Sequence, residues 1–379
     1  MVILWLSEIK WSYLRTRKQQ ILSRFPADDT ILFVEPIAKR ASNRVWFTHE
    51  PPVHIVTIPH IRAVANPGIN YLLERKFVRR SIRWIAGVWL DLILKSIREQ
   101  PDVLVLSNVY WSMNVRAIKE RWPQLPVVYE CNDNPLGFPR TPGYKRTYVQ
   151  ETLELADLIT TPHVACVPAD PEQYADKIRI VSNGVDVERF ASAPESTPLD
   201  ALPRPVIMYV GAVSEWFDFQ QVQRVAEHHT GATVVLIGPV ADTVRVQAQQ
   251  LLDLSNVKHI PPVPYHEIMN YLASADVCII PFVANELTRP VIPNKLFEYA
   301  AAGKTTVAGH FNPDLKEFAH WAYISESDED FMRKLEMALS KPLPEDDLRS
   351  MAARYDWDII SRTFRDHLVS LLADRPSNR

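Results

Sequence analysis

The sequence predicts an α/β protein with two Rossmann-like domains, each built on a parallel sheet. Short apolar runs recur along the chain, and helical or loop segments separate them. Such alternation of buried strands with helices favours parallel sheets covered on both faces. The chain has 379 residues, which is too long for one compact core, so two domains are expected.

The strand prediction rests on apolar runs that are bounded by turn residues. In the first half the runs are VILWL, TILFVEP, VHIVTIP, DVLVLSN, PVVYECND, DLITTP and IRIVSNG. In the second half they are PVIMYVGAV, ATVVLIGP, NVKHIPP, DVCIIPF, TTVAG and AYIS.

A change in composition marks the boundary between the domains. Residues 190–204 are rich in Pro, Ser and Ala and show no periodicity, which is typical of a linker. We therefore predict an N-terminal domain over residues 1–189 and a C-terminal domain over 205–342. Two helical patterns complete the chain over 343–379. Ligands of such domains bind beyond the carboxyl ends of the strands, so a cleft between the domains is the expected site.

The composition excludes several classes of protein. A net charge of −3 gives no reason to expect a nucleic acid partner. Cys131, Cys166 and Cys278 are widely spaced and fit neither a metal site nor a disulfide framework, which favours a reducing compartment. The N-terminal run lacks the features of a signal peptide, and no apolar run approaches the roughly 20 residues of a spanning helix. These features predict a cytoplasmic protein.

The stretch VIPNKLFEYAAAGKTTVAGH predicts a ligand site at the end of a strand. Pro293 suits the first turn of a helix, and Gly303 suits its end. The free N–H groups of a helix N-terminus favour a phosphate, and Arg289 and Lys295 could neutralise a diphosphate. Glu298 could accept hydrogen bonds from a ribose diol. The alternative is that Lys295 and Glu298, three residues apart, form a plain surface pair.

Several motifs resemble those of GT-B glycosyltransferases. PNKLFEYAAAGKTTVA is similar to their nucleotide-binding signature, VSNGVDVERF to the segment that ends their N-terminal domain, and YVGAVSEWFD to the glycine turn that opens their C-terminal domain. VVYECNDNPLGF and the N-terminal segment resemble bacterial enzymes that make surface polysaccharides. These are the teichuronic acid glycosyltransferases and, more distantly, the xanthan glucuronosyltransferase. The resemblance covers nearly the whole chain.

The resemblance implies a GT-B fold whose last helix crosses back to the first domain. It implies transfer of a sugar from a nucleoside diphosphate sugar, held by the C-terminal domain, to a hydroxyl group of an acceptor on the N-terminal domain. The acceptor of such enzymes is a lipid-linked glycan of the bacterial cell envelope. No cofactor is expected, and no metal, because no DxD-type carboxylate pair stands out.

The resemblance also implies residue roles. Glu298 matches the glutamate that holds the donor ribose, and Lys295 would stabilise the leaving diphosphate, where negative charge develops. Gly211 and the turn that follows would approach the phosphates through the backbone. The predicted donor-binding residues are Gly211, Ser214, Arg289, Asn294, Lys295 and Glu298.

Two departures from the family pattern bear on the chemistry. Pro290 stands where many retaining members have a first glutamate, and Glu286 is nearby but out of register. The glycine turn carries Glu215, Trp216 and Asp218 where many members have Arg and Lys. These departures move the neutralisation of the phosphates onto Lys295 and Arg289, and they leave retention and inversion of the sugar both open.

An inverting enzyme needs a general base for the acceptor hydroxyl. Asp133 follows the strand PVVYEC and is the first candidate, with Glu130 and His163 as weaker ones. The alternative for NDNP is a turn stabilised by Asx capping. Asp133 and Lys295 are therefore the two predicted catalytic residues.

Three further residues are predicted on the acceptor side, namely Trp11, Trp111 and Asn132. Tryptophan rings suit sugars, although packing at a domain interface explains them equally well. Arg15, Arg17 and Lys18 follow the first strand, and we expect their side chains to face water rather than the site.

Residues 71–99 combine basic and apolar side chains in a helical pattern. A basic helix with a Trp-bearing apolar face is typical of an element that lies on a membrane surface. The predicted membrane-surface residues are Arg75, Lys76, Arg79, Arg80, Arg83 and Trp84. We therefore expect peripheral binding to the inner leaflet; the alternative is a helix whose apolar face packs on the first sheet.

Two other functions fit the same fold. A nucleotide-sugar epimerase of the GT-B type would turn over the donor without any acceptor. A catalytically silent scaffold or sugar-binding protein would not depend on Glu298 to bind a nucleotide. A nicotinamide dehydrogenase is disfavoured because no GxGxxG motif follows a strand.

Overall fold

The computed structural model divides the chain into two compact units. The first unit comprises Met1–Ser182 and Ile360–Arg379, and the second comprises Asn183–Ile359. The structure describes residues 1–12, 16–37, 47–50, 52–58, 71–96, 100–138, 141–191 and 197–374. Part of the predicted linker, residues 192–196, and the last residues, 375–379, lie outside the described ranges.

The first unit is built on an eight-stranded sheet with the order β3-β4-β2-β1-β5-β6-β7-β8. All neighbouring strands are parallel except β3, which pairs antiparallel with β4 at the edge. Strand β3, which was not predicted, has the sequence FTHE and so lacks the continuous apolar run of a buried strand. The strands are β1 Val2–Leu6, β2 Thr30–Pro36, β3 Phe47–Glu50, β4 Val53–Ile58, β5 Val103–Leu106, β6 Val127–Glu130, β7 Leu158–Thr161 and β8 Ile178–Ile180.

The second unit is built on a six-stranded parallel sheet with the order β11-β10-β9-β12-β13-β14. The strands are β9 Val206–Val210, β10 Thr233–Ile237, β11 Val257–Ile260, β12 Val277–Ile280, β13 Thr306–Ala308 and β14 Tyr323–Ile324. The predicted α/β class with two parallel sheets is therefore confirmed.

Apolar side chains form the core on both faces of each sheet. In β1, the side chains of Ile3, Leu4, Trp5 and Leu6 are all fully buried, and the five residues of β9 are buried as well. Strands covered on both faces need continuous rather than alternating apolar residues, which is the pattern the sequence shows.

Helices cover the sheets of both units. In the first unit they are α1 Arg17–Leu22, α2 Lys76–Ser96, α3 Ser112–Arg121 and α4 Lys145–Leu155. In the second they are α5 Val187–Ala191, α6 Phe219–His228, α7 Arg245–Leu252, α8 Ile268–Leu272, α9 Asn294–Ala301, α10 Asp328–Ser340 and α11 Glu345–Ala352. None of these described helices is both long and apolar enough to span a bilayer.

The last helix, α12 Trp357–Ala373, begins in the second unit and continues in the first. Within the first unit, Phe364 packs on Trp5 with ring centroids 5.8 Å apart, and the hydroxyl group of Ser361 donates to the carbonyl oxygen of Ile21 at 2.7 Å. Arg365 forms an ion pair with the buried Asp29 at 2.6 Å. These contacts fix the terminal helix to the sheet of the first unit.

Candidate active site

Two glycine turns form the carboxyl edge of the second sheet. Gly211 follows β9 and Gly238 follows β10, with φ angles of +151° and +141°. A Cβ atom on Gly238 would lie 2.3 Å from the carbonyl oxygen of Gly211. Only glycine permits this backbone angle and this close approach. The result is a stretch of bare backbone at the edge where ligands of parallel sheets bind.

The side chain of Lys295 lies directly over this backbone. A Cβ atom on Gly211 would be 2.3 Å from Cε and 2.6 Å from Nζ of the lysine. Nζ is 5.4 Å from the ring centroid of Tyr209 and 5.7 Å from that of Phe282. Within the described chain, no side chain or carbonyl oxygen accepts a hydrogen bond from it. The structure thus brings two of the predicted donor residues together and leaves the ammonium group open to a ligand.

Glu298 lies one turn further along α9. It is half-buried, as Lys295 is, so the two residues do not form an exposed pair on a solvated face. Burial lowers the pKa of Lys295, and the nearby Glu298 carboxylate opposes this shift. Burial raises the pKa of Glu298, against the charge of Lys295 and a hydrogen bond from Tyr265. Half-buried charges of this kind are costly to maintain without a partner.

Tyr265 connects Glu298 to the segment VSNGVDVERF. The guanidinium carbon of Arg189 lies 5.3 Å from the Tyr265 ring centroid, and Arg189 pairs with Asp186 at 3.1 Å. Asn183 donates to the carbonyl oxygen of Ile292 at 2.9 Å, just before α9. Tyr265 was not predicted as a site residue, because the PYHEIMN segment carries only a helical pattern.

The other predicted donor residues differ in what they offer. Asn294 is half-buried at the start of α9, and its Oδ1 atom is buried without a hydrogen-bond partner. Arg289 is exposed on the preceding loop. The Ser214 hydroxyl group donates to the Glu215 carboxylate, which also accepts from Thr243 at 2.6 Å. Ser214 can therefore contribute its backbone, whereas its side chain is already engaged.

Asp133 follows β6 in the first unit. The residue as a whole is exposed, but its carboxyl group lies close to the charged groups of Glu130, Glu8, Lys18 and Arg17. Desolvation of this carboxyl group, together with the carboxylates of Glu130 and Glu8, raises the pKa of Asp133 to about 6, against the opposing charges of Lys18 and Arg17. A carboxylate with a pKa near the working pH is suited to accept a proton.

The expectation that Arg17 and Lys18 face water is wrong. Both side chains are buried, with 5% and 1% of their surface exposed. Arg17 pairs with Glu130 at 2.8 Å and donates to the carbonyl oxygen of Val181 at 2.7 Å, and Lys18 pairs with Glu8. A buried carboxylate compensates Arg17 and a half-buried one compensates Lys18, and such pairing is the condition for burying a cation. Arg15 lies outside the described residues.

Glu130 pairs with Arg17 through Oε1, while its Oε2 atom is buried without a hydrogen-bond partner. His163 is engaged as well, because its Nδ1 atom accepts a hydrogen bond from the Ala165 backbone at 3.2 Å. Of the two carboxylate candidates, Asp133 is the one that is not held in a described salt bridge.

The predicted acceptor-side residues occupy three different environments. Trp111 is fully buried and donates to the carbonyl oxygen of Ser7 at 3.0 Å, so it is a core residue and not a sugar platform. Trp11 is half-buried and packs edge-on against Phe33 at 5.1 Å. Asn132 is half-buried, and its Oδ1 atom is buried without a hydrogen-bond partner.

Lys145 is a further candidate on the first unit that was not predicted. It is 8% exposed at the start of α4. Its Nζ atom lies 5.8 Å and 5.5 Å from the ring centroids of Tyr110 and Phe138. Burial lowers the pKa of Lys145 to about 8, against the opposing effect of Glu8. No acceptor of a hydrogen bond from Nζ stands among the described residues. In sequence, YKRTY carries no signal that distinguishes this lysine from its basic neighbours.

Helix α2 carries a large exposed apolar surface. Ala86, Leu90 and Leu94 face the core, but Phe77 and Trp84 are each 70% exposed. Packing on the first sheet, the alternative to membrane binding, therefore accounts for the buried side of α2 but not for its exposed apolar side chains. The predicted basic residues Arg75, Lys76, Arg80 and Arg83 are exposed, whereas Arg79 is half-buried and lies 4.4 Å from the Tyr144 ring centroid. Residues 97–99 lie outside the described ranges.

Solved structures identify the fold as GT-B. The chain is similar to an Escherichia coli structure described as trehalose-6-phosphate bound with UDP-2-fluoro glucose, with 13% identity, coverage of 97% and 99% of the two chains, and a TM-score of 0.72. It is similar to sucrose-phosphate synthase from Thermosynechococcus elongatus, with 11% identity, coverage of 99% and 100%, and a TM-score of 0.75. HepE of Anabaena, in complex with UDP and glucose, matches with 15% identity, coverage of 97% and 99%, and a TM-score of 0.68.

Sequence comparisons match parts of the chain to glycosyltransferases. Residues 204–341 match the model of the glycosyl transferases group 1. A protein of Bacillus subtilis (strain 168), provisionally named the teichuronic acid biosynthesis glycosyltransferase TuaH, is 29% identical over 196 residues, which are 49% of each chain. The alignment therefore spans about half the length of this relative. The predicted resemblance to GT-B glycosyltransferases of surface polysaccharides is confirmed.

Proposed function

We propose that the chain transfers a sugar from a nucleoside diphosphate sugar to a hydroxyl group of an acceptor. The observation that carries the proposal is the half-buried ammonium group of Lys295, which lies over the Gly211 turn without a hydrogen-bond acceptor. Both residues fall within the region that matches the glycosyl transferase family. Solved structures of similar fold contain UDP or a UDP-sugar, which favours the same class of donor here.

The donor would bind at the carboxyl edge of the second sheet. Its diphosphate would approach the glycine turns and the N-terminus of α9, where backbone N–H groups favour an anion. Lys295 would neutralise the charge that develops on the leaving diphosphate as the bond from phosphate oxygen to C1 of the sugar breaks. Glu298 would hold the ribose hydroxyls, and Asn294 would accept a further hydrogen bond.

The acceptor would bind to the first unit. Asp133 would take the proton of the acceptor hydroxyl while the hydroxyl oxygen of the acceptor forms the new bond to C1 of the sugar. This is the inverting route. The buried ammonium group of Lys145 would favour an acceptor that carries a negative group. The nucleoside diphosphate leaves with the electron pair of the broken bond, so no redox partner is required.

The acceptor is proposed to be a lipid-linked surface glycan, reached from the cytoplasmic side of the membrane. Two observations support this part of the proposal. The relative in Bacillus subtilis is named for teichuronic acid biosynthesis. Helix α2 presents exposed arginine, lysine and tryptophan side chains together, a composition that favours an anionic lipid surface.

Glu298→Ala is expected to weaken nucleotide binding about 10–100-fold, because hydrogen bonds to a charged group contribute about 1.5–3 kcal/mol. The measurement is calorimetry with UDP, GDP, ADP and dTDP and their sugars, using the wild-type protein and the variant. Glu286→Ala, which changes an exposed carboxylate on the preceding loop, serves as the matched control. Equal affinity in the Glu298 variant would remove this residue from the donor site, and absence of any nucleotide binding would favour the scaffold. Donor turnover without an acceptor would instead favour the epimerase.

Replacing Lys76, Arg80 and Arg83 by glutamine is expected to weaken binding to anionic vesicles about 100-fold, because each basic residue near such a surface contributes about 1 kcal/mol. The measurement is cosedimentation with vesicles that contain phosphatidylserine, at two salt concentrations. The control replaces three exposed basic residues of the second unit, namely Arg245, Lys258 and Lys316. Cosedimentation of the α2 variant at the wild-type level would contradict the membrane proposal.

A further inference from the structure

Two helices of the second unit bring two histidines and a glutamate together. His228 is the last residue of α6, His229 follows it, and Glu336 lies in α10. The Nε2 atoms of His228 and His229 are 3.3 Å and 3.5 Å from the same oxygen, Oε1 of Glu336. The ligand atoms of all three residues lie within 4.8 Å of one another.

The two distances from histidine nitrogen to Glu336 match the spacing of ligands around one tetrahedral metal ion. Zinc binds histidine nitrogen and carboxylate oxygen at about 2.0–2.1 Å, so two such ligands lie about 3.3 Å apart. Hydrogen bonds to nitrogen are normally shorter, at about 2.7–3.2 Å. The two histidine–glutamate contacts are therefore long for hydrogen bonds and close to the edge of a zinc tetrahedron.

The burial of the His229 imidazole nitrogen provides a second observation. Its Nε2 atom is buried and has no hydrogen-bond partner. Buried polar atoms of side chains are normally satisfied, so an orphaned imidazole nitrogen indicates a missing ligand. The rings of His228 and His229 lie in a T-shaped contact with centroids 4.9 Å apart, so the two imidazoles are neighbours at this point.

We propose that His228, His229 and Glu336 bind a zinc ion that links α6 to α10. Imidazole nitrogen and carboxylate oxygen are ligands that zinc commonly takes. His228 and Glu336 are 62% and 54% exposed, so water can reach the fourth position. The ion would reinforce the ion pair between Arg224 and Asp328, at 3.0 Å, which already joins the same two helices. None of the three ligands belongs to the proposed donor-binding residues, so the zinc site is a separate feature of this unit.

The test is a zinc titration of untagged, EDTA-dialysed protein against a chromophoric zinc indicator at pH 7.5. We expect one zinc ion per chain and at least a tenfold loss of affinity in each of His229→Ala and Glu336→Gln. His266→Ala is the matched control, because His266 lies 3.6 Å from Glu267 but has no third ligand in its described surroundings. Zinc is also expected to raise the unfolding temperature of the wild-type protein and not that of Glu336→Gln, since a ligand of the folded state stabilises it by mass action.

Three outcomes would overturn the proposal. They are no zinc uptake, uptake that the His229 and Glu336 variants do not change, and an equal loss in the His266 control. Glu336 is exposed and its variant is expected to fold, so the proposal stays testable if His229→Ala fails to fold. Nucleotide binding measured on the same samples is expected to be unchanged, which separates this result from the fate of the donor site.

Discussion

Lys295→Met is expected to lower kcat for sugar transfer about 10²–10³-fold, because removing one group that stabilises developing charge has an effect of this size. The substitution keeps an unbranched side chain over Gly211, one heavy atom shorter, and removes the ammonium group. The measurement is release of the nucleoside diphosphate, with nucleotide affinity determined on the same protein. We expect the loss to be larger in kcat than in affinity, since negative charge on the leaving diphosphate grows in the transition state.

The same variant is expected to be at least as stable as the wild-type protein. The ammonium group of Lys295 is half-buried without a hydrogen-bond acceptor, and burial lowers its pKa. A lysine whose pKa is lowered on folding destabilises the folded state at low pH, and the effect disappears as the pH rises through the unfolded pKa of about 10.4. The gain in unfolding temperature for Lys295→Met should therefore be larger at pH 6 than at pH 10.

Lys304→Met supplies the contrast within the same unit. Lys304 is also half-buried, but its Nζ atom donates to the carbonyl oxygen of Ala273 at 2.9 Å. Loss of this bond is expected to lower stability without changing kcat. A Lys295 variant with wild-type turnover, or one that loses stability as Lys304→Met does, would show that Lys295 is a structural lysine and would favour the scaffold.

The sheets and the donor site could be predicted from the sequence because both depend on residues close together in the chain. A strand buried on both faces must be a continuous apolar run, and β1 and β9 are such runs. Lys295 and Glu298 share one turn of α9 just beyond β12, so their placement follows from the strand and helix alone. The edge strand β3 has no such run and was missed.

The environment of the acceptor-side residues could not be predicted in this way. Arg17 is buried because Glu130, 113 residues away in sequence, compensates its charge. Trp111 is a core residue because its indole nitrogen meets the carbonyl oxygen of Ser7. Lys145 stands out only once Tyr110 and Phe138 are packed around it. Each of these environments depends on contacts between residues far apart in the sequence. A local sequence pattern carries no information about such contacts.

Asp133→Asn is expected to lower kcat/KM for sugar transfer about 10²–10⁴-fold, the range for loss of a general base. The carboxylate acts only when it is ionised, so wild-type activity should fall about tenfold per pH unit below the pKa of Asp133, which burial and the carboxylates of Glu130 and Glu8 raise to about 6. The measurement is the pH profile of kcat/KM, and the residual activity of Asp133→Asn should lack this acid limb.

Glu8→Gln tests whether the acid limb belongs to Asp133. The Glu8 carboxylate raises the pKa of Asp133, so its removal should move the acid limb of the pH profile to lower pH while activity at pH 8 is retained.

The stability of Asp133→Asn provides a second test of the raised pKa. A carboxyl group whose pKa is raised on folding loses stability as the pH rises from about 4 to about 6, so Asp133→Asn should unfold at a higher temperature than the wild-type protein at pH 8 and not at pH 4. An acid limb that persists in Asp133→Asn, or that Glu8→Gln does not move, would assign the proton transfer to another group and leave Asp133 as a turn residue of the NDNP segment.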